Sequence, residues 1–149
     1  MDDRSLKMIE DMLYNKNKVE ILEALDDINN PEVLYVFSYN YNWDNGFEIP
    51  KKILLKDCCE LSIALLIFYS ADGISYLRNK NQENVDLKEW SFFIKEVYLG
   101  ITKKTLKRGE IKFVPPLSKV EMYKLKKEIE ESDYVFLEEI EGNDLNIEL

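Results

Sequence analysis

Asn30 to Tyr41 reads N-P-E-V-L-Y-V-F-S-Y-N-Y. Whether it forms a strand or a helix decides whether the chain is mixed or mainly helical. Val33, Tyr35, Phe37, Tyr39 and Tyr41 alternate as strand residues do, and their types favour strands. Leu34, Phe37 and Tyr41 fit one face of a helix equally well. The start of the stretch breaks the tie. Asn30 suits an N-cap, Pro31 the first helical position and Glu32 the positive helix end. The sequence therefore predicts a helix.

Working outward, the next stretch is N-W-D-N-G-F-E-I-P at 42–50. Asp44-Asn45-Gly46 is turn chemistry, and Ile49 before Pro50 is expected to be extended. A short helix over 50–56 follows. Asp57 with Glu60 then looks like a capping box with Asp in place of Ser. It leads into L-S-I-A-L-L-I-F-Y-S at 61–70, apolar on every side and so suited to the middle of a core. Asp72-Gly73 ends that helix. Residues 79–86 read as a polar loop.

The flanks add more helices. Ser5 can cap a first helix with Leu6, Ile9, Met12 and Leu13 on one face, and Val19, Leu22, Leu25 and Ile28 suggest a second. A long helix near 86–104 would bury Trp90, Phe93, Ile94, Val97, Tyr98 and Ile101, with Gly109 as its stop. Ser118 to Glu121 is a capping box for a helix running to about 132. Glu110–Val114 and Tyr134–Leu137 have the composition of short strands. The expected fold is mainly α: a compact multi-helix single domain over 1–149, with a short two-stranded β element in the C-terminal third. Residues 138–149 are expected to be a loose acidic tail.

The chain has 149 residues and no histidine. Imidazole bases, Ser-His and Cys-His pairs and His-bound metals are excluded. Cys58 and Cys59 are adjacent, so they cannot staple distant segments. No cofactor and no metal is expected. No apolar run approaches the roughly 20 residues a spanning helix needs, and the N-terminus does not resemble a secretion signal, so a cytoplasmic protein without a membrane partner is expected.

Charge is blocked along the chain. Residues 1–102 hold 18 acidic and 11 basic side chains, 103–127 hold 2 and 9, and 128–149 hold 9 and none. Within the helix at 119–132 the lysines precede Glu128, Glu130 and Glu131, against the macrodipole. The basic block lies between acidic ones, so nucleic acid is not expected as a partner. An acidic docking surface for a basic protein partner is the favoured reading, with the oligomeric state left open. Its binding residues would be Trp43, Asp44, Asn45 and Glu48 on the turn and Glu138, Glu139, Glu141 and Asp144 on the tail. The alternative is a small carboxylate-based enzyme or small-ligand-binding domain at 43–48.

N-W-D-N-G-F-E-I-P followed by C-C-E-L-S-I-A-L-L-I-F-Y resembles the bacterial family DUF4274, a domain of unknown function. K-F-V-P-P-L-S-K-V and Y-K-L-K-K further on also look family-like. Asn45 and Glu60 stand where that family has aspartates, which would weaken a metal site at Asn45 and is harmless if Glu60 only caps a helix. The resemblance implies a small, largely helical protein with no established activity. By association with toxin and contact-dependent loci, it suggests an immunity-type inhibitor or other partner-binding role.

Overall fold

A computed structural model describes residues 1–80 and 87–149. The helices are α1 (Asp3–Tyr14), α2 (Lys18–Asp26), α3 (Pro31–Tyr39), α4 (Glu48–Leu54), α5 (Leu61–Ser70), α6 (Gly73–Arg78), α7 (Lys88–Thr102) and α8 (Lys119–Glu128). Short 3₁₀ helices lie at Trp43–Asn45 and Glu131–Leu137. The fold is mainly helical, and α5 is its centre.

The ambiguous stretch is helix α3. Asn30 accepts the backbone N–H of Glu32 at 3.0 Å, and Pro31 opens the helix. Val33 through Ser38 are all buried, which explains the double pattern: with every face covered, the apolar positions carry no single period. α3 packs on α5, whose residues Leu61 to Phe68 are likewise buried. α1 packs on α3 and α2, α4 joins α2 to α5, and α6 and α7 pack on α5 and on each other.

Several local expectations fail for readable reasons. Asp2, not Ser5, caps α1, accepting the Ser5 N–H at 2.8 Å. In α2 Leu25 and, just beyond the helix, Ile28 are buried and Leu22 packs on the core as expected, but Val19 is 62% exposed and Ile21 is buried in its place. α4 begins at Glu48, so Ile49 is helical and buried rather than extended. Pro50 is tolerated there because a first-turn residue has no intrahelical partner for the N–H it lacks. The α5 N-cap is Glu60, and Asp57 does not cap it. The Leu61 N–H instead donates to Lys107 O at 2.9 Å. α7 ends with Lys104 at φ 57°, before Gly109 is reached. The loop expected at 79–86 lies mostly outside the described residues.

The two-stranded β element is absent from the described residues. Glu110–Val114 makes only two isolated bridges, Ile111 with Asn143 and Phe113 with Ile140. Tyr134–Leu137 is part of the 3₁₀ helix, where Phe136 and Leu137 turn inward together as strand neighbours would not. α8 stops at Glu128, so Glu130 and Glu131 lie beyond it. Its first turn then carries both Lys119 and Glu121, and its last turn Lys126, Lys127 and Glu128, so the charges no longer run against the macrodipole.

At Gly73, the first residue of α6, the chain lies close against α5. A Cβ there would lie 2.3 Å from the Phe68 ring, which is itself fully buried against Phe136 at 4.5 Å between centroids. Gly73→Ala is expected to cost about 1–3 kcal/mol, the usual range for overpacking. Urea denaturation checks this; an unchanged midpoint would mean that Phe68 can swing aside at no cost.

Candidate functional site

The 42–48 turn is built from the core outward. Asn42 accepts the Asp44 N–H at 3.0 Å and starts the 3₁₀ turn. Gly46 follows at φ 89°, a conformation side-chain-bearing residues avoid. The Tyr41 hydroxyl donates to Gly46 O at 2.7 Å and ties the turn to the end of α3. Burial, helped by the nearby Glu48 charge, pushes the Tyr41 phenol up to about 12, so it stays a proton donor. Trp43 lies edge-on to Tyr41 at 5.2 Å and 6.2 Å from Phe47, and Phe47 stacks on the buried Phe93 of α7 at 4.7 Å. The aromatic residues of the turn therefore plug the core. Asp44 and Asn45 are exposed, and Glu48 pairs with Lys18 at 3.0 Å.

The acidic tail is held at both ends. Phe113 and Ile140 exchange backbone hydrogen bonds of 2.9 Å each way, and Ile140 is buried. Beside this bridge Glu138 pairs with Arg108 at 2.5 Å, while Glu139 and Glu141 face solvent. Farther on, Asn40 Nδ2 donates to both Val36 O and Ile147 O, each at 2.9 Å. Leu145 and Ile147 pack on the core, and Asp144 comes near enough to Tyr35 that its charge adds to burial in raising that phenol. The tail thus runs along α3, and Ile147 fixes it at the C-terminal end of that helix, Asn40, shortly before the turn. Asp144 is brought to the side of the fold that carries Tyr39, Asn40 and the turn; Glu138, Glu139 and Glu141 stay at the Phe113–Ile140 bridge. Sequence reasoning missed Asn40 and the half-exposed Tyr39. An Asn just past a helix end is the one signal that points to such a clamp.

Two further reactive groups lie at the start of α5. Cys59 is buried, and burial together with the Cys58 and Glu60 charges pushes its thiol up to about 12, so it is no thiolate nucleophile. Glu60 is also buried, and it accepts the Ile111 N–H at 3.4 Å rather than closing a capping box with Asp57. A third group escaped the sequence reading. Asp133 is fully buried and receives Lys80 Nζ at 2.5 Å and the Tyr98 hydroxyl at 2.6 Å. Burial alone would lower the lysine, but its bonds to Asp133 and Tyr98 outweigh that and raise it to about 12. Burial and the bond to Asp133 also raise Tyr98. Neither group is poised to give up its proton near neutrality, and the cluster acts as a bolt between α7 and the 3₁₀ helix.

Among the described residues no three carboxylates or thiols are grouped to hold a metal ion, and no helix is long and apolar enough to cross a membrane. Residues 29–101 match the family described as Domain of unknown function (DUF4274). The matched range holds α3, the turn, α4, α5, α6 and most of α7, so the DUF4274 resemblance covers the central helices and the aromatic plug, while core residues of α1, α2 and the segment after α7 lie outside it. The stretches at 112–127, which look family-like in the sequence, fall outside it. No curated protein and no solved structure matches the chain.

Proposed function

We propose that this protein is a non-enzymatic, cytoplasmic binding module for a basic protein, acting as an immunity-type inhibitor. The observation that carries the reading is the double hydrogen bond of Asn40, which fixes Ile147 of the acidic tail at the end of α3, just before the turn. Tyr39, 50% exposed, and the half-buried Trp43 flank that junction. Aromatic anchors rimmed by carboxylates suit lysine or arginine side chains, through cation–π contact and charge together. Asp44, Asp144 and Glu148 supply exposed carboxylates for the rim. The enzyme or small-ligand alternative at 43–48 draws less support. Its two carboxylates are not held together in an enclosed pocket: Asp44 is exposed and Glu48 is engaged by Lys18.

The test is capture from the host lysate with tagged wild type and with an Asp144→Asn, Glu148→Gln variant, at low and high salt. A basic partner is expected whose association slows as salt rises, and whose affinity falls about tenfold in the variant. A partner whose association rate ignores salt would overturn the reading. So would a turnover activity abolished by Asp44→Asn in a folded protein.

A further inference from the structure

Helix α8 divides its charges unequally between the fold and solvent. Its acids are engaged within the chain. Glu121 accepts the Ser118 N–H at 3.0 Å to close the capping box, and Glu128 pairs with Arg78 at 2.7 Å. Its lysines are not: Lys119, Lys124, Lys126 and Lys127 are exposed, and none forms an ion pair among the described residues. Its apolar residues divide too. Leu125 is fully buried and anchors the helix, whereas Val120 is 61% and Tyr123 62% exposed. Positions 120, 123, 124 and 127 recur at helical spacing and form one outward stripe. Within it Lys127 Nζ sits 4.3 Å from the Tyr123 ring centroid, so the aromatic and the charge form a single unit.

We propose that this outward face of α8 is a docking site for an acidic peptide segment that carries an apolar side chain. Charge complementarity sets the sign of the partner. Lysines whose own helix offers them no free acid are matched by glutamates or aspartates from outside. The exposed Val120 and Tyr123 set the second requirement, an apolar anchor to cover them. An extended polyanion fits less well. Residues 1–102 and 128–149 are net acidic on either side of the basic block, so a nucleic acid or an anionic bilayer meets repulsion beyond the lysines. A short acidic segment meets only the stripe, because exposed charges farther than about 8 Å are screened at physiological salt. This site is separate from the acidic junction at Asn40 and takes a partner of the opposite charge.

The test is a titration of isotope-labelled full-length protein with a Glu/Leu-rich amphipathic peptide, with a Lys/Leu-rich peptide as control. Amide shifts are expected at 119–127 with the acidic peptide alone. The Lys124→Glu, Lys127→Glu variant should weaken binding about tenfold or more, and Lys124→Arg, Lys127→Arg should retain it. The changed side chains are exposed, and circular dichroism checks that the variants keep their fold. Asp144→Asn with Glu148→Gln should leave this binding unchanged, which separates the site from the acidic junction. Shifts that map elsewhere, or an affinity indifferent to charge reversal, would overturn the proposal. Tighter binding of a single-stranded oligonucleotide or of anionic vesicles would overturn it in favour of that ligand. Shifts that grow with protein concentration alone would reassign the face to a second copy.

Discussion

Lys80→Met is expected to lower the unfolding free energy by about 3 kcal/mol, because it leaves a buried carboxylate without its counter-ion. Asp133 is fully buried and has two side-chain donors, Lys80 and Tyr98. Removing one partner of a buried pair typically costs about 3–5 kcal/mol; the lower end applies because the Lys80 side chain keeps 22% of its exposure. Methionine preserves most of the stem, so the loss is chiefly electrostatic. Adding Asp133→Asn should recover part of it, since the amide carries no charge and its oxygen can still accept from Tyr98. A Lys80→Met variant as stable as wild type in urea would show that the bolt contributes nothing. A double variant no better than the single one would show that the loss is not the stranded charge.

The same cluster sets a pH dependence. Lys80 is raised in the fold to about 12 from an ordinary value of 10.5. A raised lysine stabilises fully below the unfolded value and loses that contribution as pH climbs through the folded one. Stability should therefore fall between about pH 10.5 and 12. The buried phenols act with the same sign. Tyr41 moves up to about 12 from 10.0, and Tyr69 moves up through burial as well, so the unfolded chain releases their protons first above pH 10. Lys80→Met should flatten the alkaline fall without abolishing it, the remainder being tyrosine.

How much of this was legible in the sequence depended on the range of the interaction. The α3 cap needs only Asn30, Pro31 and Glu32, three neighbours, and it could be read directly. The all-apolar run of α5 could be read because only a central position buries a helix on every side. The false capping box at Asp57 has the right spacing, yet Glu60 is drawn instead to the 107–111 segment, some fifty residues away. A Cβ on Gly109 would overlap the Glu60 carboxylate, so this close approach is built around a glycine that read only as a helix stop. The expected strands failed for a related reason. Phe113 and Ile140 do pair, but for one bridge only, and apolar composition cannot distinguish a bridge from a ladder. In the candidate site the turn was legible, because its chemistry is local. The tail's path to Asn40 was not, since a backbone carbonyl 107 residues away leaves no mark on composition.

Trp43→Ala decides what the turn is for, and it is expected to cost about 2–3 kcal/mol. Truncating a buried Trp typically costs about 3–5 kcal/mol, and the lower figure reflects its partial exposure. The loss comes from its contacts with Tyr41, Phe47 and Phe93, the last at 6.1 Å between centroids. Asp44→Asn and Glu48→Gln should each stay within about 0.5 kcal/mol, as exposed substitutions do. Glu48 gives up one ion pair with Lys18, and both of those side chains are well exposed to solvent. The two classes of variant therefore separate along different axes. The indole is held by packing and should register in denaturation midpoints, while Asp44 is free of the core and should register only in partner association. A Trp43→Ala protein with unchanged stability would mean that the ring is spare to the core and available for a ligand. A large stability loss in Asp44→Asn would mean that the turn depends on its charge, and Asp44 would then have to be removed from the proposed binding rim.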